Sequence, residues 1–172
     1  MDSASPQVHN AGMGTSQMIE HRHIRPGTVP DLTPGSLLCS LGGERSHFVG
    51  GYINEQVAVE LDSMRFAPVN KWNRPAGYLI SGILFEVDLN SGEAGGQSEL
   101  AAGSLLLMGD RLALCAIADK GRYLVAIDTE NPIERDVSTD DLIFRRWQIA
   151  SRTGDQSMVL YTYGGVSSKA QS

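Results

Sequence analysis

Turn-forming residues interrupt this chain too often for helices and at a spacing that suits strands. From Leu32 onward, short apolar runs end at Gly42-Gly43, Asn90-Ser91-Gly92, Gly109-Asp110 and Asp119-Lys120-Gly121. Asn and Gly tolerate the positive φ that tight turns require. Within the runs the period is two. Val57, Val59 and Leu61 alternate with Ala58 and Glu60, and Tyr123, Val125 and Ile127 alternate with Leu124 and Ala126. Such alternation sends one set of side chains to a buried face.

Read this way, the sequence predicts strands over residues 37–41, 46–53, 57–61, 78–89, 105–108, 112–118, 123–127 and 158–163. Gly50-Gly51 predicts a kink or bulge in the second of these. In 78–89, Ile83, Phe85, Val87 and Leu89 face one way while Leu84, Glu86 and Asp88 face the other. The run 112–118 is apolar on both faces and should be covered on both. Asp119-Lys120-Gly121 joins it to the next strand as a hairpin. Residues 64–77, with Pro68, Asn70, Trp72, Asn73 and Pro75, predict a long ordered loop, and a Gly-rich link runs up to Gln97. Residues 138–150 fit two periods. Ser138 and Asp141 resemble a helix-capping pair, with Ile143, Trp147 and Ala150 at helical spacing. Ile143, Arg145, Trp147 and Ile149 equally share one face of a strand, and the β-branched and aromatic content favours strand.

The total is about eight or nine short strands at roughly 10–15 residue spacing, the rhythm of all-β folds. The expected fold is a single-domain β-sandwich, jelly roll or barrel with an extended N-terminal arm and a short C-terminal tail. A length of 172 residues fits one domain. Residues 1–30 form the polar arm, 31–163 the β-rich globular part and 164–172 a flexible tail. The arm is rich in Ser, Gly, Gln and His and poor in large apolar side chains. It cannot build a core, and alone in water it would fray. One internal echo stands out: Leu32-Thr33-Pro34-Gly35-Ser36-Leu37-Leu38 against Leu100-Ala101-Ala102-Gly103-Ser104-Leu105-Leu106, in keeping with two related half-sheets.

Charge and residue types narrow the function. A net charge of −6 gives no global attraction to phosphate backbones, so direct nucleic-acid binding is not expected. No apolar run approaches the ~18 residues that cross a bilayer, so no membrane partner is expected. The start, Met-Asp-Ser-Ala-Ser-Pro, has no basic segment followed by an apolar one, so cytoplasmic synthesis is expected. Cys39 and Cys115 lie in apolar runs and read as reduced core residues. The histidines are His9, His21, His23 and His47, with none after. A nucleophile on the β-rich part would therefore have to find its general base in His47 or the arm. Neither a Gly-x-Ser-x-Gly elbow nor a phosphate loop is present. The carboxylate pairs Glu86/Asp88 and Asp140/Asp141 read as an exposed strand face and as a cap or solvated loop.

The residues that stand out are of interface type. Arg145, Arg146 and Trp147 are adjacent, with Arg135 and Arg152 nearby, and Trp and Arg dominate interface hot spots. Trp72 and Arg74 lie in the long loop, where Trp72 either anchors a partner by stacking or plugs the end of a barrel. Eleven of the fourteen cations are Arg, the type enriched at interfaces. Two functions follow as expectations. The first is a structural, non-enzymatic assembly protein of virion coat, decoration or connector type. It would be a homo-oligomer or the partner of another shell protein through its N-terminal arm, located in a virion and without cofactor or metal. The second is a small-molecule or carbohydrate-binding β-barrel, or a metal-dependent enzyme using His21, His23 and His47. His21 and His23 share one side of an extended chain, but two ligands alone make no site.

Overall fold

Period-two patterning gives fourteen strands and no α-helix among the described residues. The structure, a computed structural model, describes residues 23–41, 45–73, 76–96 and 99–165. The chain begins with β1 (Ile24–Thr28), β2 (Ser36–Ser40), β3 (His47–Tyr52), β4 (Gln56–Glu60) and β5 (Arg65–Pro68). It continues through β6 (Ala76–Ser81), β7 (Leu84–Val87), β8 (Gly92–Ala94), β9 (Leu105–Met108) and β10 (Arg111–Ala118). The last strands are β11 (Gly121–Ala126), β12 (Leu142–Phe144), β13 (Trp147–Thr153) and β14 (Gln156–Tyr163).

Eleven strands make one sheet in the order β1-β6-β2-β3-β4-β5-β10-β9-β12-β8, with β11 paired to both β10 and β3. That double pairing closes β3, β4, β5, β10 and β11 into a ring. A parallel bridge from Ile117 to Arg65 joins β10 to β5, and Ala126 meets Tyr52 on β3. The fold is thus all-β, a barrel with a second sheet of order β14-β13-β7. The hairpin at Asp119-Lys120-Gly121 forms as the sequence predicts, with Ala118 opposite Gly121.

The second sheet packs its inner face against the first. Trp147, Ile149, Phe85 and Tyr161 join Val49, Val59, Leu114 and Val125 in one core cluster. On the opposite face of β2, β3 and β6, Leu38, Phe48 and Leu79 form a second cluster with Val29 and Leu32. A third lies where Leu106, Ala113, Cys115 and Ile143 meet Ile133 and Val137. This third cluster gives β10 the two-sided cover that its unbroken apolar run requires.

Several expectations change. Residues 24–30, placed in the polar arm, carry β1 and a 3-10 turn in which Val29 is fully buried. Strand β1 pairs with β6 from Ile24↔Ile80 to Thr28↔Ala76, so the backbone ladder orders a segment that has few apolar side chains. The loop predicted over 64–77 contains β5 and a 3-10 turn at Val69–Lys71. The single strand over 78–89 is two strands in different sheets. Gly82, at φ +67, turns the chain between them, and Leu89 stands exposed in a 3-10 turn. The Gly-rich link contains β8. Residues 142–144 and 147–153 are strands, and no helix follows Ser138 and Asp141, which instead close a turn: the Ser138 amide donates to Asp141 Oδ2 at 2.8 Å and the Asp141 amide to the Ser138 carbonyl at 3.2 Å.

No bulge interrupts β3 at Gly50-Gly51, whose register against β4 is regular. The glycines are there for close approach. A Cβ on Gly50 would overlap the backbone of Thr33, and one on Gly51 the Val125 side chain.

Candidate interaction surfaces

The Arg-Arg-Trp segment joins β12 to the start of β13: Arg145 and Arg146 lie in the bend between the two strands, and Trp147 opens β13. Trp147 points inward and has no exposed surface. It stacks on Tyr163 with ring centres 5.2 Å apart and meets Phe85 and Tyr161 at 5.9 Å. Its indole Nε1 donates to the carbonyl of Gly103 at 2.8 Å. The expected partner contact at Trp147 is therefore corrected: the residue is the central anchor between the two sheets. Arg145 reaches Glu93 at 3.3 Å, and Arg146 reaches Asp88 at 2.9 Å. Both side chains remain about one-third exposed, although Arg146 Nε is buried. Arg152 pairs with Glu86, which also accepts from Gln148 Nε2 at 2.7 Å. Each arginine thus has its own carboxylate, and the cluster in sequence is a dispersed set of ion pairs in space.

Trp72 is half-buried and closes the second core cluster. Its ring meets Phe48 edge-on at 5.0 Å, and Nε1 donates to the Ala67 carbonyl at 3.3 Å. It covers the outer face of β2, β3 and β6 and does not plug the end of the barrel. Arg74 lies outside the described residues.

Of the histidines read for a metal, His23 and His47 are among the described residues. His21 lies outside the described residues, while His23 precedes β1 and His47 opens β3. Three strand spacings of about 4.8 Å separate β1 from β3, with β6 and β2 between them. No three His, Cys, Asp or Glu side chains are grouped to hold a metal ion among the described residues. His47 lies opposite Cys39 across β2 and β3, with its ring 5.4 Å from Tyr161 and its Nδ1 buried without a hydrogen-bond partner. Burial pushes the Cys39 thiol up. Burial raises Cys115 to about 11 and is the main cause that takes Tyr161 to about 12. A thiol shifted that way is held from the thiolate form that nucleophilic chemistry needs.

A shallow cavity of about 300 Å³ opens beside the loop 129–140, floored by Met108, Pro132 and Ile133 and flanked by Arg111 and Arg135. Sequence reasoning did not single out these two arginines as a pair. The signal was present in Asp128 and Asp141, one carboxylate for each. Arg111 donates twice to Asp128, at 3.0 and 3.2 Å, and once to the Asn131 carbonyl at 2.7 Å. Arg135 donates twice to Asp141, at 2.7 and 2.6 Å. Asp141 is only 1 % exposed, and the Arg135 bonds, helped by Ser138, hold its carboxyl down to about 2. Both guanidinium groups are paired in place, and with Glu134 also in the lining the cavity is a mixed recess, apolar at Met108, Pro132 and Ile133 and charged at its sides.

The rims of the sheets are the other surfaces. Strands β1 and β8 are the two outermost strands of the large sheet. None of the helices among the described residues is long and apolar enough to cross a membrane.

Barrel, second sheet and unpaired rims together define an all-β protein. The chain belongs to the family described as Uncharacterised protein y4lG, whose model matches residues 26–171. No curated protein and no solved structure matches it.

Proposed function

We propose that this chain is a structural, non-enzymatic assembly protein, of the virion coat, decoration or connector type, whose N-terminal arm packs on neighbouring subunits. The position of β1 carries this reading: it is one of the two rim strands of the large sheet, and among the described residues it pairs on one side only, with β6. An arm that continues from a rim strand can lie across a neighbour without crossing its own barrel. Its polar composition suits a surface rather than a core. The test compares the native mass of the full chain with that of a chain lacking residues 1–22. The cut stops there because residues 24–30 carry β1 and the buried Val29. A full chain at a multiple of 18.5 kDa and a folded monomeric truncation are expected. Normal assembly by the truncated chain would remove the arm from the interface.

The second reading, a small-molecule-binding barrel, is favoured by the recess at Met108 and Ile133, whose volume lies at the low end of ligand pockets. A small apolar ligand that raises the melting temperature, and loses that effect in Ile133→Glu, would support it.

A further inference from the structure

We infer that β14 is a self-association edge, through which two copies of this chain pair antiparallel about a two-fold axis and join their small sheets into one of six strands. Strand β14 runs for eight residues, Gln156–Tyr163, and bonds only to β13; its other edge pairs with no described strand. An edge of that length is a template for another strand unless it is blunted by charge, proline, shortness or a bulge that turns it away, and the one such feature in β14 is a single bulge near its middle. The other three rims are blunted. Strand β1 carries Arg25 and Pro26, β8 has three residues including Glu93, and β7 has four including Glu86. Strand β14 has neither charge nor proline.

That neutrality is also what points to a second copy rather than a different partner. In a two-fold antiparallel pair the residue on the axis faces its own copy and its neighbours face residues equally far beyond the axis, so a charge there lies close to its like-charged mate. Ser157, Val159 and Thr162 stand opposite Arg152, Ala150 and Gln148 on the face away from the core, and Val159 is 49 % exposed. One bulge interrupts the strand, between the pairs Ile149↔Tyr161 and Ala150↔Val159, so the free edge consists of a straight stretch up to Val159 and a second from Tyr161. The contact uses none of the arm residues, so it can hold or fail independently of the assembly reading above.

Sedimentation of the full chain over a range of concentrations tests it, with amide exchange read alongside. A dimer of twice 18.5 kDa is expected, with β14 amides that gain protection as concentration rises. Val159→Lys should weaken the dimer by about tenfold or more, because like charges then meet across the axis. Leu84→Lys, on the same face at the far edge of the small sheet, should leave it unchanged. A monomer at every concentration overturns the inference, as does a dimer indifferent to Val159→Lys. Equal loss in Leu84→Lys would mean that the faces stack and would overturn edge pairing. Oligomers lost with residues 1–22 but kept in Val159→Lys would favour the arm alone.

Discussion

Trp147 holds three things at once. Its ring fills the space between the sheets, its indole N–H satisfies the Gly103 carbonyl, and its stacking fixes Tyr163, whose hydroxyl donates to Ala102 at 3.1 Å. Trp147→Phe keeps most of the apolar volume but leaves the buried carbonyl without a donor. It should cost about 1–3 kcal/mol, the range for an orphaned buried group, whereas Trp147→Ala should cost about 3–5 kcal/mol through the cavity it adds. Urea unfolding of both variants checks the ordering. Asp141 makes a different kind of prediction. Its carboxyl ionises at about 2 in the folded chain against an ordinary 3.8, so the folded state binds the proton less readily than the unfolded. The stabilisation is therefore complete above 3.8 and disappears as pH falls toward 2. Asp141→Asn should melt below the parent at neutral pH, and the gap should close across that acidic window. A gap that persists unchanged down to the lower end would show that the Arg135 pair is not its cause.

At the scale of elements, the echo between residues 32–38 and 100–106 becomes a shared turn. Gly35 and Gly103 adopt φ +82 and +89, and the amides of Ser36 and Ser104 each donate 3.1 Å to the carbonyl three residues back. Each glycine amide also donates to a distant strand, Gly35 to the Ile127 carbonyl and Gly103 to that of Cys115. The surroundings differ. A Cβ on Gly35 meets nothing within 4 Å, while one on Gly103 would overlap the Tyr163 ring. Gly35→Ala should therefore cost only the left-handed strain of about 1–2 kcal/mol. Gly103→Ala should cost that plus overpacking of about 1–3 kcal/mol. Denaturation midpoints of the two variants measure the difference. Local chemistry makes these turns, a Gly before a Ser and a paired Leu, but the echo read as two related half-sheets is one turn used twice within the large sheet. Strands β5 and β8 were not legible in the sequence, because Arg65–Pro68 and Gly92–Ala94 have little apolar alternation and are held by partners far along the chain. The same holds for β1, whose order comes from β6 rather than from its own side chains. Of the candidate site, residue types were legible and orientation was not. A Trp beside two Arg reads the same whether it faces in or out, and only the pairing of Trp147 with Val87 and Tyr163 decides it.

For the whole molecule, the question is whether barrel and second sheet are one folding unit. They share the cluster in which Trp147 and Ile149 meet Val49, Val59 and Leu114, so the second sheet has no core of its own to retain if the barrel opens. Shared burial of this kind couples elements into one transition, as small domains ordinarily show. The two tryptophans sit where they can report on this. Trp147 belongs to the cluster between the sheets, and Trp72 closes the cluster on the opposite face. Trp72→Phe leaves a probe of the first, and Trp147→Phe leaves a probe of the second, since the chain has two tryptophans. Within each variant, fluorescence and far-ultraviolet dichroism should give the same urea midpoint and the same slope. If Trp147 fluorescence changed well before the dichroism in Trp72→Phe, the second sheet would detach while the barrel stayed folded. The two sheets would then be separable layers rather than one cooperative body.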